Sequence, residues 1–173
     1  MVEQPKYEIL RTLDGIELRK YPKLLVAKVD NGGGDAAFDY LFRYISGKNQ
    51  TKKRISMTIP VITSEKVAMT APVITSGESM AFVVPKKYTL ENAPVPTDPA
   101  VRLEEVPERV LAVLRFSGYT PDQRVKEFQD RLIAKLEQNK IATVGAPFLM
   151  RYNSPFSIGF MRRNEVAIRV EDS

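Results

Sequence analysis

The side chains in this sequence that could do acid–base, ligand or ring chemistry are Asp, Glu, Lys, Arg, Tyr, Met and Phe, because its 173 residues include no His, no Cys and no Trp. That removes thiolate nucleophiles, disulfides, iron–sulfur and zinc-finger sites, Ser-His-Asp triads, imidazole bases and a proximal haem histidine. Four groupings remain. Tyr40, Tyr44, Phe38 and Phe42 crowd one short segment beside Arg43. Met57 and Met69 head two copies of one motif. Glu104-Glu105 is a carboxylate pair, but adjacent residues of a strand face opposite sides, so the two do not act on one substrate. Arg162, Arg163 and Glu165 form a charge cluster that reads as a cross-strand network rather than an active site. Gly32-Gly33-Gly34 precedes a helix like a phosphate loop, yet it lacks the Lys-Ser/Thr of a P-loop and the spacing of a dinucleotide fingerprint.

The composition is that of an ordinary soluble globular chain, with 43% hydrophobic and 27% charged residues. The expectation is a single domain over residues 1–173. The net charge of +5 is mild and local, centred on Lys48, Lys52, Lys53 and Arg54. These lack the interleaved aromatics or recognition helix of a nucleic-acid site, so no nucleic-acid partner is expected. No apolar run approaches the ~20 residues of a membrane span, and the start is not a signal peptide, so a cytoplasmic location is expected.

These residues need elements to position them. Glu8 to Arg19 alternates on both sides of Asp14-Gly15, a dipeptide suited to a hairpin turn with positive φ. A second strand pair is expected about Pro22. Asp35 stands where an N-cap belongs and Gly47 where a left-handed C-terminal residue belongs, which predicts a helix over Ala36 to Ser46. At ~100° per residue this helix carries an apolar arc of roughly 200°, wider than a helix lying on a sheet requires. The excess is aromatic. It is either a surface for a flat ligand or is covered by the Pro-rich stretch from Asn92 to Pro99. Thr120-Pro121-Asp122-Gln123 reads as a capping box that opens a second helix reaching Gln138 or Asn139, and strands are expected at Phe148 to Tyr152 and Val166 to Val170.

Two repeats organise the chain. Leu18 to Pro22 matches Leu103 to Pro107 in spacing, and the order strand, strand, helix, strands occurs twice, about 7–90 and 100–171. This predicts a pseudo-two-fold α+β domain, a distorted antiparallel β-barrel or curved sheet flanked by two α-helices. The shorter repeat is Met57-Thr58-Ile59-Pro60-Val61-Ile62-Thr63-Ser64, recurring from Met69 to Ser76 with one mismatch. Its prolines place both copies at a sheet edge or bulge, with Met57 and Met69 filling core gaps or lining a pocket.

The sequence resembles the SOUL haem-binding family over roughly Tyr7 to Val170. The resemblance is carried by Glu17-Leu18-Arg19-Lys20-Tyr21, by Leu41 to Asn49, and by Ala68-Met69-Thr70-Ala71-Pro72-Val73. It continues through Phe82 to Pro85, Phe116-Ser117-Gly118, Tyr152 to Pro155 and Arg162 to Val166. It implies a distorted antiparallel barrel with two helices, similar also to the gyrase-inhibitor-like small-molecule-binding fold. It implies tetrapyrrole binding, mainly haem, in a hydrophobic groove beside the first helix, on the Phe38 and Phe42 side, with Leu41 in that helix and Arg43 available to a propionate. Some members carry a haem-ligating histidine in the segment matching Leu18 to Tyr21, where this chain has Lys20. Binding here is therefore expected through apolar burial and basic residues, with iron left to Lys20, Tyr21 or Met, or without a protein ligand. The alternatives are a binder or hydrolase of another planar hydrophobic molecule, and a groove for a partner's amphipathic helix.

Overall fold

The structure, a computed structural model, describes residues 2–31, 33–51, 64–153 and 158–171. In chain order the elements are β1 (Glu8–Leu13), β2 (Ile16–Tyr21), β3 (Leu24–Val29), α1 (Gly33–Ile45), β4 (Asn49–Gln50), β5 (Val73–Ser76) and β6 (Ser79–Val83). There follow β7 (Val95–Pro96), β8 (Arg102–Val106), β9 (Arg109–Phe116), α2 (Asp122–Gln138), β10 (Thr143–Arg151) and β11 (Asn164–Val170). The first hairpin turns at Asp14 and Gly15 with φ of 48° and 77°, the two positive angles its sequence signals. Lys135 and Asn139 at the end of α2 donate to Asp14 and fasten that turn.

Among the described residues nine strands form one antiparallel sheet in the order β1-β2-β9-β11-β10-β5-β6-β3-β8. The fold is the expected α+β curved sheet with two helices, but among the described residues the sheet is open, with β1 and β8 as its edges, and does not close into a barrel. The strands about Pro22 do not pair with each other. β2 pairs with β9 and β3 with β8, in a register that runs without a shift from Ile16↔Leu114 to Lys28↔Arg102. Each proline corner therefore passes the chain from one half of the sheet to the other, because Pro22 and Pro107 interrupt both ladders at the same level.

Alternation assigns the two faces. On the convex face α1 packs against β3 and β6 over Ala27, Val29, Met80, Phe82 and Val84. On the same face α2 packs against β9, β10 and β11 over Ala112, Leu114, Val166 and Ile168, with Leu132 and Leu136 fully buried. The concave face carries Tyr21, Leu111, Val113, Phe148, Met150 and Ala167 in one half and Val26, Ala81 and Val83 in the other.

Three local expectations are corrected. α1 begins at Gly33, and Asp35 lies in its first turn instead of capping it, where a carboxylate still favours the positive end of the helix. The cap of α2 is Pro121, with φ −64° and ψ 150° and no side-chain bond, so the capping box at Thr120 does not form. The second copy of the methionine motif supplies β5, an interior strand between β10 and β6. Pro72 precedes the first paired residue, so its missing N–H costs the ladder nothing. The first copy, with Met57, lies outside the described residues.

Candidate functional site

The two flanks of α1 meet different surroundings. Tyr44 is buried and its hydroxyl donates to the carbonyl of Pro94 at 2.7 Å, so the Asn92 to Pro99 stretch covers the tyrosine flank. Asn49 fixes the end of the helix by donating to the carbonyls of Tyr44 and Glu65, and it accepts from the Glu65 N–H. Leu41 faces the sheet, fully buried. The opposite flank stays open. Phe38 packs edge-on against Phe82 at 5.3 Å, Phe42 stacks on Phe38 at 6.1 Å, and Phe42 is 51% exposed. An aromatic stack with its outer ring half in water is an apolar surface ready to be covered. Arg43 follows it on the exposed last turn.

This flank looks across the gap between the helices, where β5 lies. Along one row of the convex face the register places Phe82, Val73, Arg151, Asn164 and Phe116 side by side. Phe116 stacks on Phe128 of α2 at 4.2 Å. Arg151 thus stands between the two aromatic groups, two strands from Phe82, about 10 Å at the ~4.8 Å spacing of paired strands. It is half-buried. Its Nη2 reaches Thr75 Oγ1 only at 3.4 Å, and its Nε is buried with no partner. Burial, and then the nearby Arg162, push its pKa below the ordinary arginine value. Among the described residues no carboxylate pairs with this cation, and a buried polar group left without a partner is costly.

The remaining residues singled out by the sequence are dispersed. Met69 is 38% exposed beside Thr70, whose hydroxyl donates to the Val83 carbonyl. Lys20 and Tyr21 lie on β2, before the Pro22 corner, whereas α1 packs on β3 and β6 beyond it. The Lys20 ammonium is 3.2 Å from Glu108. Tyr21 is buried on the concave face and accepts from Arg19 at 3.0 Å; burial raises its pKa against the opposing pull of Arg19. The structure therefore brings Phe38, Leu41, Phe42 and Arg43 together on α1 and leaves Lys20 and Tyr21 elsewhere.

The concave face has a polar centre of its own. Arg19 grips both oxygens of Glu165 at 2.8 and 2.7 Å, Arg163 adds a bond at 3.0 Å, and the Arg19 guanidinium lies 4.2 Å from the Tyr7 ring. Arg163 and Glu165 are thus part of a cross-strand network, completed by Arg19 from β2. Burial alone would raise the pKa of Glu165; the Arg19 bonds outweigh it and hold the carboxyl below the ordinary range. Burial and the charge of Glu165 push Tyr152 upward.

Tyrosine burial extends to α1. Burial and the neighbouring Tyr88 and Glu65 raise Tyr44, while Tyr88, donating to Glu65 at 2.7 Å, is pushed up to about 12. A folded pKa above the ordinary value near 10 gives stability that is complete below pH 10 and is lost as pH rises toward the folded value. Unfolding free energy is therefore expected to fall steadily above pH 10, with tyrosinate absorbance appearing together with unfolding. Tyrosinate forming in full near pH 10 without loss of fold contradicts this.

Arg109 and Arg151 were not singled out by sequence reading. Each stands at the end of an apolar strand run, Arg109 before Val110 to Leu114 and Arg151 after Phe148 to Met150.

Comparison with known proteins adds three findings. A family model described as SOUL heme-binding protein matches residues 2–169. Heme-binding protein 2 of Homo sapiens is 29% identical over 157 residues, which cover 87% of this chain and 75% of its own, and that of Mus musculus is 27% identical over 177 residues, covering 95% and 84%. Among solved structures, the C-terminal domain of EcmrR is similar at TM-score 0.55 and 12% identity, over 96% of this chain and 99% of that one. A hydrolase from Listeria innocua is similar at TM-score 0.57 and 13% identity, over 90% and 91%. At such identities the two structures share the fold alone. No helix among the described residues is long and apolar enough to cross a membrane. With its family model matched over nearly the whole length, this chain belongs to the SOUL heme-binding protein family.

Proposed function

We propose that this protein binds haem or a related tetrapyrrole as transient cargo, on the Phe38–Phe42 flank of α1 and without an imidazole ligand. The observation that carries this reading is the half-exposed Phe42 stacked on Phe38, which a flat apolar molecule would cover. Covering the exposed half of the Phe42 ring contributes about 1 kcal/mol, so the stack supports weak, reversible binding. Leu41, buried beneath, holds the flank on the sheet. Arg43 and Arg151 supply the cationic side for ring carboxylates, and a carboxylate would give the buried Arg151 Nε the partner it lacks among the described residues. Bound haem would bring iron and carboxylates; with no His in the chain, affinity rests on ring burial and these arginines. Met69 is assigned no ligand role, and neither Lys20 nor Tyr21 is placed to touch a ligand on this flank.

The test is a haemin titration followed by absorbance, with protoporphyrin IX and its dimethyl ester titrated alongside by fluorescence. The expected result is a saturable one-to-one shift without a bis-imidazole spectrum, unchanged in Lys20→Ala. Arg151→Met is expected to weaken the free acid about tenfold, as loss of a charge-assisted bond implies, and to leave the ester unaffected. A titration with no saturable shift, or tighter binding of unrelated planar aromatics than of any porphyrin, overturns the reading.

A further inference from the structure

The concave face, away from α1 and α2, contains a cleft of about 290 Å³ that the tetrapyrrole reading does not use. Its walls are Val26, Ile74, Ala81, Val106 and Phe148, with Ser76 and Ser79 at one end. Its charged residues are paired, with one exception. Glu104, whose buried Oε2 accepts no hydrogen bond, has Arg102 at 3.1 Å and Lys28 at 3.8 Å as ion-pair partners, and Glu105 faces Lys23 at 3.7 Å. Arg109 has no carboxylate within ion-pair distance among the described residues. It is half-buried, its guanidinium lies 5.1 Å over the Phe148 ring, and after burial the strongest influence on it is another cation, Arg169. A desolvated guanidinium fixed by ring stacking, at the wall of an apolar cleft and without an internal anion, is a preformed carboxylate receptor.

We propose that this cleft is a second binding site, for small aromatic carboxylates, with Arg109 taking the carboxylate and the apolar walls beside Phe148 taking the ring. The volume lies at the small end of the range for ligand pockets, ~300–1,000 Å³, which suits one or two rings and excludes a four-ring macrocycle. The two sites are therefore independent: one on the convex face for a large ring system, one on the concave face for a small acid. Glu104 does not turn the cleft into a cation site, because Arg102 and Lys28 already neutralise it.

The experiment uses 2-naphthoate as probe, with 2-naphthamide and 2-naphthylmethylammonium as neutral and cationic analogues, titrated into the full chain by amide NMR shifts. Saturable shifts are expected for residues of β3, β5, β6, β8 and the start of β9, with naphthoate at least tenfold tighter than either analogue. Arg109→Met keeps an unbranched stem over Phe148 and is expected to bring naphthoate and naphthamide to equal affinity. Arg109→Lys is expected to retain part of the preference. Three outcomes overturn the proposal: no binding of naphthoate, equal or tighter binding of an analogue to the unmodified chain, or an unchanged preference in a folded Arg109→Met protein. A failure of haemin binding leaves each of these outcomes unaffected.

Discussion

Replacing Glu165 with alanine is expected to destabilise the protein by about 3–5 kcal/mol, the usual cost of stranding one member of a buried ion pair. Glu165 is fully buried, and the Arg19 side chain that grips it is 3% exposed. Removing the carboxylate leaves the buried Arg19 beside the part-buried Arg163, with the part-exposed Glu17 as the one carboxylate among the described residues bonded to Arg19. Replacing both Arg19 and Glu165 by methionine removes the charges together and is expected to cost less than the single substitution. The measurement is denaturant unfolding of the two variants. A single-variant loss under about 1 kcal/mol would show that this network does not tie β2 across β9 to β11. The acid limb provides a second check. Because the folded pKa of Glu165 is depressed, the stability it contributes is complete above the ordinary carboxylate value near 4.5 and is lost as pH falls through the lower folded value. Glu165→Ala is therefore expected to unfold with a flatter dependence on pH below 4.5 than the unmodified protein.

Phe42→Asp is expected to weaken haemin binding by a factor of at least ten while leaving thermal unfolding nearly unchanged. The ring is half exposed before any ligand arrives, so its loss removes little folding energy, and surface changes of this kind usually stay within about 0.5 kcal/mol. The same ring is the outer face of the proposed site, and covering its exposed half contributes about 1 kcal/mol, equivalent to roughly fivefold in affinity. An aspartate there also repels the carboxylates that Arg43 and Arg151 attract. Haemin affinity equal to that of the unmodified protein, in a variant that folds normally, would place the ligand away from this flank.

The features that were readable from the sequence are those set by neighbours along the chain. Asp14-Gly15 fixes its hairpin because the two positive φ values are local requirements. The apolar arcs of both helices and the alternation of the strands follow from side-chain periods, and these give the α+β class. The motifs from Tyr7 to Val170 carried the family. The surplus aromatic arc of α1 was legible too, but not its division: Tyr44 bonds Pro94, fifty positions later, whereas Phe42 meets no such cover among the described residues.

Pairing was not legible. Short strands of similar alternation fit many neighbours, so the apparent pair about Pro22 separates, and β2 and β3 each find a partner far along the chain, from Ile16↔Leu114 to Lys28↔Arg102. Charge partnership failed in the same way. Arg19, Arg109 and Arg151 look alike as strand arginines, yet one is locked to Glu165, one lies over Phe148 and one retains a buried Nε without an acceptor. The sequence by itself determined the elements, the family and the absence of an imidazole, because each is a property of composition or of short-range order. Only the tertiary structure decided which cations remain without a counter-charge and which aromatic ring stays half in water, because burial and ion pairing depend on strands that meet from distant parts of the chain.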